Sequence, residues 1–292
     1  MKPTIAIAGP GKVGCALGRR LAAAGYPLTG LYARDPDKGR SAATFIGLDP
    51  ANLTQNLAEL AGTRVIILAL PDDRLQEFST RLQAEAALGP ETTLIHCSGL
   101  HPAAILAPGA QVGRLSLHPL LPFANAATAA ARLDGCPFAL EGDEEHLPLG
   151  KELISALGGK PFLLPSTAKP LYHAAASMAS NFLVSLTERA CALLVECGLT
   201  ESDALDLIAP LQQATLENCH RFGPAQALTG PIVRGDAGTL VRHLEALAEQ
   251  APDQLELYQT LATQTLRLAL DSKRLAPDKG EEISKVLFSV DE

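Results

Sequence analysis

Apolar positions in the first 165 residues come as short continuous runs, separated by longer stretches in which they recur every three or four residues. Thr4–Ala8 is such a run. A helical pattern follows from Lys12 to Ala24, then a second run at Pro27–Ala33. Further runs lie at Arg64–Leu70, Thr92–His96, Gln111–Ser116 and Pro137–Glu141. A run that is apolar at every position fits a strand buried on both faces, and strands alternating with amphipathic helices mean βαβ units around a mostly parallel sheet. After Pro165 the pattern changes. Ser166 and Thr167 can cap a helix, Pro170 is tolerated in its first turn, and helical periodicity continues to about Cys197, where Gly198 provides a stop. A helix of about 30 residues would be about 45 Å long, so its apolar face needs a partner. Helical patterns follow at about Thr200–Cys219, Asp236–Gln250, Pro252–Ser272 and Lys279–Phe288. The chain is predicted to be an α/β protein: a doubly wound N-terminal domain over residues 1–165, then an all-α domain over 166–292.

Composition narrows the function classes. The 292 residues fit two domains better than one. Lys and Arg number 24 against 32 for Asp and Glu, a formal charge of -8, which argues against nucleic acid or an anionic membrane as partner. The six cysteines are scattered with no CxxC pair, the pattern of reduced thiols in the cytoplasm rather than of a disulfide framework. No cluster has metal-ligand spacing. The N-terminus shows no signal-peptide pattern, and the uncharged stretch Leu171–Thr187 is interrupted by Ser, Asn and His. The expectation is a soluble cytoplasmic protein.

The strongest local signal is Gly9-Pro10-Gly11-Lys12-Val13-Gly14, which follows a predicted strand and opens a predicted helix. That context makes GxGxxG a dinucleotide-binding prediction: Gly9 for the tight turn, Gly11 for close approach of the pyrophosphate and Gly14 for helix–strand packing. The helix N-terminus supplies unpaired N–H groups and a positive dipole end. At the end of the second strand, where NAD enzymes carry an acid for the ribose 2′-hydroxyl, the chain reads Tyr32-Ala33-Arg34-Asp35. Arg34 suits a 2′-phosphate, so NADP(H) is expected rather than NAD(H). The competing arrangement has Asp35 on the ribose and Arg34 in solvent.

Three strand ends should converge where cofactor and substrate meet. They are Leu70-Pro71-Asp72, His96-Cys97-Ser98-Gly99 and Ser116-Leu117-His118-Pro119. Leu70 and Pro71 should touch the cofactor. On the long helix, His173, Ser177 and Asn181 are spaced i, i+4, i+8 and share one face. A histidine with a near-neutral pKa can act there as donor or acceptor. Arg234, in the Gly- and Pro-bounded loop Thr229–Asp236, is placed for bidentate carboxylate binding, unless Asp236 merely caps a helix and Arg234 pairs locally.

The glycine loop, the Leu-Ala-Leu-Pro-Asp strand end, the Ser98-Gly99 turn and the His118-Pro119 step resemble the 6-phosphogluconate dehydrogenase-like superfamily. At these loops the resemblance is to prephenate dehydrogenases, in which a Ser follows one strand and a His-Pro comes about 20 residues later. Ser98 and His118 match those positions. Tyr172-His173-Ala-Ala-Ala, Ala179-Ser180-Asn181, Thr229-Gly230-Pro231-Ile232 and Arg234-Gly235-Asp236 resemble Rossmann-like proteins with a C-terminal domain of unknown function 2520. The resemblance implies an NADP-dependent oxidoreductase architecture with a helical domain of the 6-phosphogluconate dehydrogenase C-terminal-like type. One departure stands out. Hydroxyacid dehydrogenases and ketopantoate reductases of the superfamily place a catalytic Lys four residues before an Asn. Here Asn181 matches the Asn while Ser177 occupies the Lys position, and Lys169 lies three helical turns away.

The expected function is hydride transfer between NADP(H) and a small carboxylate-bearing carbonyl, imine or hydroxy compound, of ketopantoate-reductase or prephenate-dehydrogenase type. His118 would be the acid/base or polarising group. Ser98, His173 and Asn181 would orient the substrate, with Ser177 and Arg234 binding it. The helical domain would form a homodimer. The alternative class is a non-catalytic NADP(H)-binding regulatory or redox-sensing dimer.

Overall fold

The computed structural model describes residues 1–288. Eight strands form one sheet: β1 Ile5–Ala8, β2 Leu28–Tyr32, β3 Leu53–Thr54, β4 Val65–Leu68, β5 Thr93–His96, β6 Gly113–Pro119, β7 Pro137–Gly142 and β8 Lys160–Leu163. The first six helices are α1 Lys12–Ala23, α2 Pro36–Ile46, α3 Leu75–Ala86, α4 Ala126–Ala131, α5 Leu147–Ala156 and α6 Lys169–Ala179. Then come α7 Asn181–Glu196, α8 Glu201–Phe222, α9 Pro224–Ala227, α10 Pro231–Arg234, α11 Ala237–Gln250, α12 Leu255–Asp271 and α13 Pro277–Phe288.

The strand order is β3-β2-β1-β4-β5-β6-β7-β8. Neighbouring strands are parallel except β6 and β7, which are antiparallel. The predicted N-terminal Rossmann-type sheet followed by a helical region is therefore what the chain forms. Alternating side chains of the central strands feed two cores. Ile5, Ile67, Ile95, Leu115 and Leu117 pack with Leu17 and Leu21 of α1 and Leu153 and Ile154 of α5. On the other face Ala6, Ile66, Leu68 and Leu94 pack with Leu75 and Leu82 of α3. Burial on both faces explains why these strands are apolar at every position.

Two expectations are corrected in detail. The strand predicted at Gln111–Ser116 runs from Gly113 to Pro119, because antiparallel pairing with β7 sets His118 opposite Ala139 and Pro119 opposite Phe138. His118 is thus within the strand rather than beyond its end. The helix predicted to continue from Ser166 to Cys197 is broken at Ser180, whose φ/ψ of -122°/-68° leave the α region. Ser and Asn in tandem are weak helix formers, since their side chains compete for backbone hydrogen bonds.

The chain divides into two compact units, Met1–Ser180 and Asn181–Glu292. The boundary drawn from sequence at residue 165 marks the end of the sheet, and the first unit also takes in α6. Within the second unit every described element is helical. Its core joins Ile232, Leu240, Leu244, Leu266, Ile283 and Leu287 from α10 to α13.

Candidate active site

β1 and β4 flank the point where the strand order reverses, which in open α/β sheets is where ligands bind beyond the strand ends. The glycine loop leaves β1 at this point. Gly9 has φ +110°, and a Cβ on it would collide with the Ala69 carbonyl leaving β4. A Cβ on Gly14 would strike the Gly9 carbonyl, so α1 lies against the loop only because Gly14 has no side chain. Gly11 differs from both: nothing lies within 4 Å of its added Cβ. It is the N-cap residue of α1, no side chain caps that helix, and no acid sits in its first turn. The free N–H groups of the first turn are the donor set that a pyrophosphate would take.

Gly9, Pro10 and Gly11 line a cavity of ≈ 280 Å³ together with Leu70, Pro71 and Arg34. Six of the predicted cofactor contacts are thereby brought together. Lys12 and Val13 lie in the first turn of α1 and do not line it. Tyr32 and Ala69 at the strand ends complete the wall with Arg74, Glu77, Phe78 and Arg81, and these last four, in and just before α3, were not anticipated. Asp35 is committed elsewhere. Its Oδ1 accepts hydrogen bonds from the Asp37 and Lys38 N–H groups at 3.0 and 3.2 Å, capping α2. The guanidinium of Arg34 has no hydrogen-bond or ion-pair partner among the described residues.

The strand ends after β4, β5 and β6 form a second, denser cluster within the first unit. Ser98, at 7% exposure, donates from Oγ to Asp72 Oδ2 at 2.8 Å and accepts from the Leu100 and His101 N–H groups at 3.1 Å each. A hydroxyl has one proton and two lone pairs, so all three are used in pinning this turn to the β4 loop. His118 Nδ1 is hydrogen-bonded to the Tyr172 hydroxyl at 2.7 Å, with the two rings edge-to-face and centroids 5.5 Å apart. His173 is edge-on to His118 as well, its ring centroid 6.1 Å away. Gly99 fits between them. An added Cβ would stand 2.7 Å from His173 Cδ2 and 2.9 Å from His118 Nε2.

The electrostatics favour an uncharged imidazole. Burial first, then the Lys169 charge and His173, push His118 down to about 4, against a smaller opposing effect of Asp72. Burial, with a contribution from Cys136, raises the Tyr172 phenol to about 12. At neutral pH both partners are neutral, and the Tyr172 bond at Nδ1 leaves Nε2 for another group, as a donor when the hydroxyl donates and as an acceptor when it accepts.

Lys169 was missed as a site residue. It is 1% exposed and donates from Nζ to Ser116 Oγ at 2.7 Å and to the Ser98 carbonyl at 3.2 Å. The signal was present, since Lys169 stands one helical turn before His173. Ser177 follows His173 by a further turn on the same half-buried face of α6. Asn181 opens α7 in the second unit, where Arg234 also lies, exposed at the end of α10. Asp236 caps α11 by accepting from Thr239 N–H and Oγ1 at 3.0 and 2.7 Å. Among the described residues no group of His, Cys, Asp and Glu has the arrangement of a metal site.

Comparison with known proteins agrees with this architecture. Residues 2–119 match the Rossmann-like domain family, and residues 136–265 match the domain of unknown function DUF2520. Among curated proteins none matches the chain. A Bacteroides fragilis protein provisionally assigned as an NADP oxidoreductase is similar over 90% of this chain and 98% of its own, with TM-score 0.74 and 24% identity. A Thermotoga maritima protein aligns over 92% and 99% with TM-score 0.71 and 26% identity. A reductive aminase from Aspergillus terreus, in complex with NADPH and ethyl-5-oxohexanoate, aligns over 100% and 94% with TM-score 0.59 and 16% identity.

Proposed function

We propose that this chain, a Rossmann-like domain joined to a DUF2520 region, is an NADP(H)-dependent oxidoreductase acting on a small carbonyl, imine or hydroxy compound that bears a carboxylate. The observation that carries this reading is His118, an imidazole held neutral and orientationally fixed at the same sheet edge as the glycine loop. A ketopantoate-type 2-keto acid is the most concrete substrate class, and a prephenate-type hydroxy compound is the second. The reductive aminase complexed with NADPH supports the fold's compatibility with such chemistry.

The residues fit the cofactor. The open backbone at Gly11 and the first turn of α1 would hold its pyrophosphate, and Arg34 its 2′-phosphate, because Asp35 is engaged in capping α2. When bound, NADPH supplies the hydride. His118 would donate from Nε2 to the substrate oxygen or nitrogen, a preorganised polarising contact that in enzymes of many kinds is worth several kcal/mol in the transition state. Tyr172 would hold the ring, and His173, edge-on to His118 and close to Gly99, would orient the substrate. With Lys absent from position 177 and the Tyr172 hydroxyl donating to Nδ1, the neutral imidazole would be the polarising hydrogen-bond donor from Nε2, and the proton that completes a reduction would come from solvent water.

Calorimetric titration of wild type and Arg34→Ala with NADPH and NADH tests the first half. Micromolar or tighter NADPH binding, weakened about tenfold or more by the substitution with little change for NADH, is expected. Turnover of 2-keto acids and imines with NADPH, abolished in His118→Ala with cofactor affinity kept, tests the second. A protein that binds NADPH and turns over none of these compounds would belong to the regulatory class instead. One that binds neither nucleotide would end the oxidoreductase reading. We also infer that the protein works as a homodimer through its helical unit.

A further inference from the structure

Lys169 is an anomaly until its surroundings are considered. Its ammonium is sealed from solvent, yet it is hydrogen-bonded only to two uncharged oxygens, and no carboxylate lies within ion-pair distance of it among the described residues. Burying a charge without a direct counter-ion is costly, and an apolar side chain of similar volume would fill the space more cheaply. The acids that face it, Asp72 and Glu141, are already engaged. Asp72 accepts from Ser98 Oγ at 2.8 Å and Glu141 Oε2 from the Ala103 N–H at 2.9 Å. The bonds that Lys169 does make converge on the reaction site. Ser116 is two residues before His118 on β6, so both side chains leave the same face of the sheet. The Ser98 carbonyl is followed directly by Gly99, against which the imidazoles of His118 and His173 rest.

We propose that Lys169 is a positioning residue for this site: it clamps the Ser98–Gly99 turn to β6 and places a buried positive charge near the His118 imidazole. The proposal rests on the reading of His118 as the polarising residue, and it specifies how that residue is tuned. The groups facing His118 are Tyr172, His173 and Lys169 from α6, Asp72 from the β4 loop, and His96 from β5. Of these Lys169 is the one whose bonds reach both the turn and the strand that carry the site. Its charge opposes a second positive charge nearby, whereas Asp72 acts in the opposite sense.

The test is a titration of the His118 imidazole by NMR between pH 4 and 8, with the resonance assigned through His118→Gln, in the wild type, Lys169→Met and Lys169→Gln. Circular dichroism and NADPH affinity at neutral pH are measured alongside. The wild-type midpoint is expected below pH 5, and in the folded neutral variants it should rise by about one unit or more. A purely structural lysine would leave the midpoint unmoved. An unchanged midpoint in either folded variant overturns the proposal. A wild-type midpoint at or above 6 also overturns it, and that measurement stands even if neither variant folds. Failure of NADPH to bind the wild type would remove the oxidoreductase reading, while the dependence of His118 on Lys169 would still be read from the titration.

Discussion

At the residue scale the site sets two neutral imidazoles, His96 and His118, near one buried positive charge, that of Lys169. His96 is fully buried and accepts from the Ser98 N–H at Nδ1 at 3.1 Å. Burial, followed by the Lys169 charge, pushes its pKa down to about 3, and that of His118 falls to about 4. In the unfolded chain both return to about 6.5. Between those values the unfolded state binds more protons than the folded one, so stability rises with pH across the window. The contribution is complete above pH 6.5 and is lost as pH falls toward 3 to 4. At about 1.4 kcal/mol per pKa unit, the two histidines together should remove on the order of a few kcal/mol between pH 7 and 4. Urea unfolding at pH 7 and pH 5 checks this: the midpoint should be lower at pH 5, before most carboxylates titrate. Equal midpoints would mean that neither histidine is held neutral.

At the element scale, α2 shows how a local rule decides a functional question. Asp35 sits where either a ribose-binding acid or a helix cap is plausible from sequence, and its two bonds to Asp37 and Lys38 make it a cap followed by Pro36 at N1. Asn caps as well as Asp, so Asp35→Asn should leave stability and the affinities for NADPH and NADH within about twofold. Asp35→Ala should cost about 1 kcal/mol, read as a lower thermal midpoint, with cofactor affinity again kept. A selective fall in NADH affinity in a stable Asp35→Asn protein would instead put the carboxylate on the ribose.

The same elements explain what could be read from the chain in advance. The central strands were legible because burial on both faces leaves no polar position in Ile5–Ala8 or Val65–Leu68. The glycine loop was legible because two of its three glycines are sterically required. β8 was not, since all four of its residues are exposed and carry no burial pattern. β3 is two residues long, too short to leave any pattern. Of Lys169 only its place one turn before His173 was legible, since its partners, Ser98 and Ser116, are 71 and 53 residues away. The Ser98 hydroxyl looked available for substrate because nothing in the sequence shows the backbone N–H groups that occupy it.

At the scale of the whole molecule, α7 and α8 of the second unit expose many apolar side chains among the described residues. No residue of α7 is buried, and in α8 only Ala204 is, although the two helices pack together and share the Thr187–Gln212 hydrogen bond of 2.8 Å. Phe182, Val184, Leu207 and Leu211 are each more than half exposed. An apolar surface of this extent marks an interaction face. The segment Ser166–Glu196 is also long and apolar enough, by length and composition, to cross a bilayer. Three features disfavour a lipid partner: the break at Ser180, the anchoring of Lys169 against the sheet, and the acids Glu188, Glu196, Asp203, Asp206 and Glu217 along α7 and α8. A second copy presents the same apolar helices, and isologous contact between identical faces is the commonest way such a surface is covered. Sedimentation velocity at micromolar concentration should therefore give a dimer. Val184→Lys combined with Leu211→Lys should give a folded monomer that still binds NADPH, because the glycine loop lies in the other unit. A wild-type monomer, or wild-type protein that floats with added phosphatidylcholine vesicles, would rule out the homodimer.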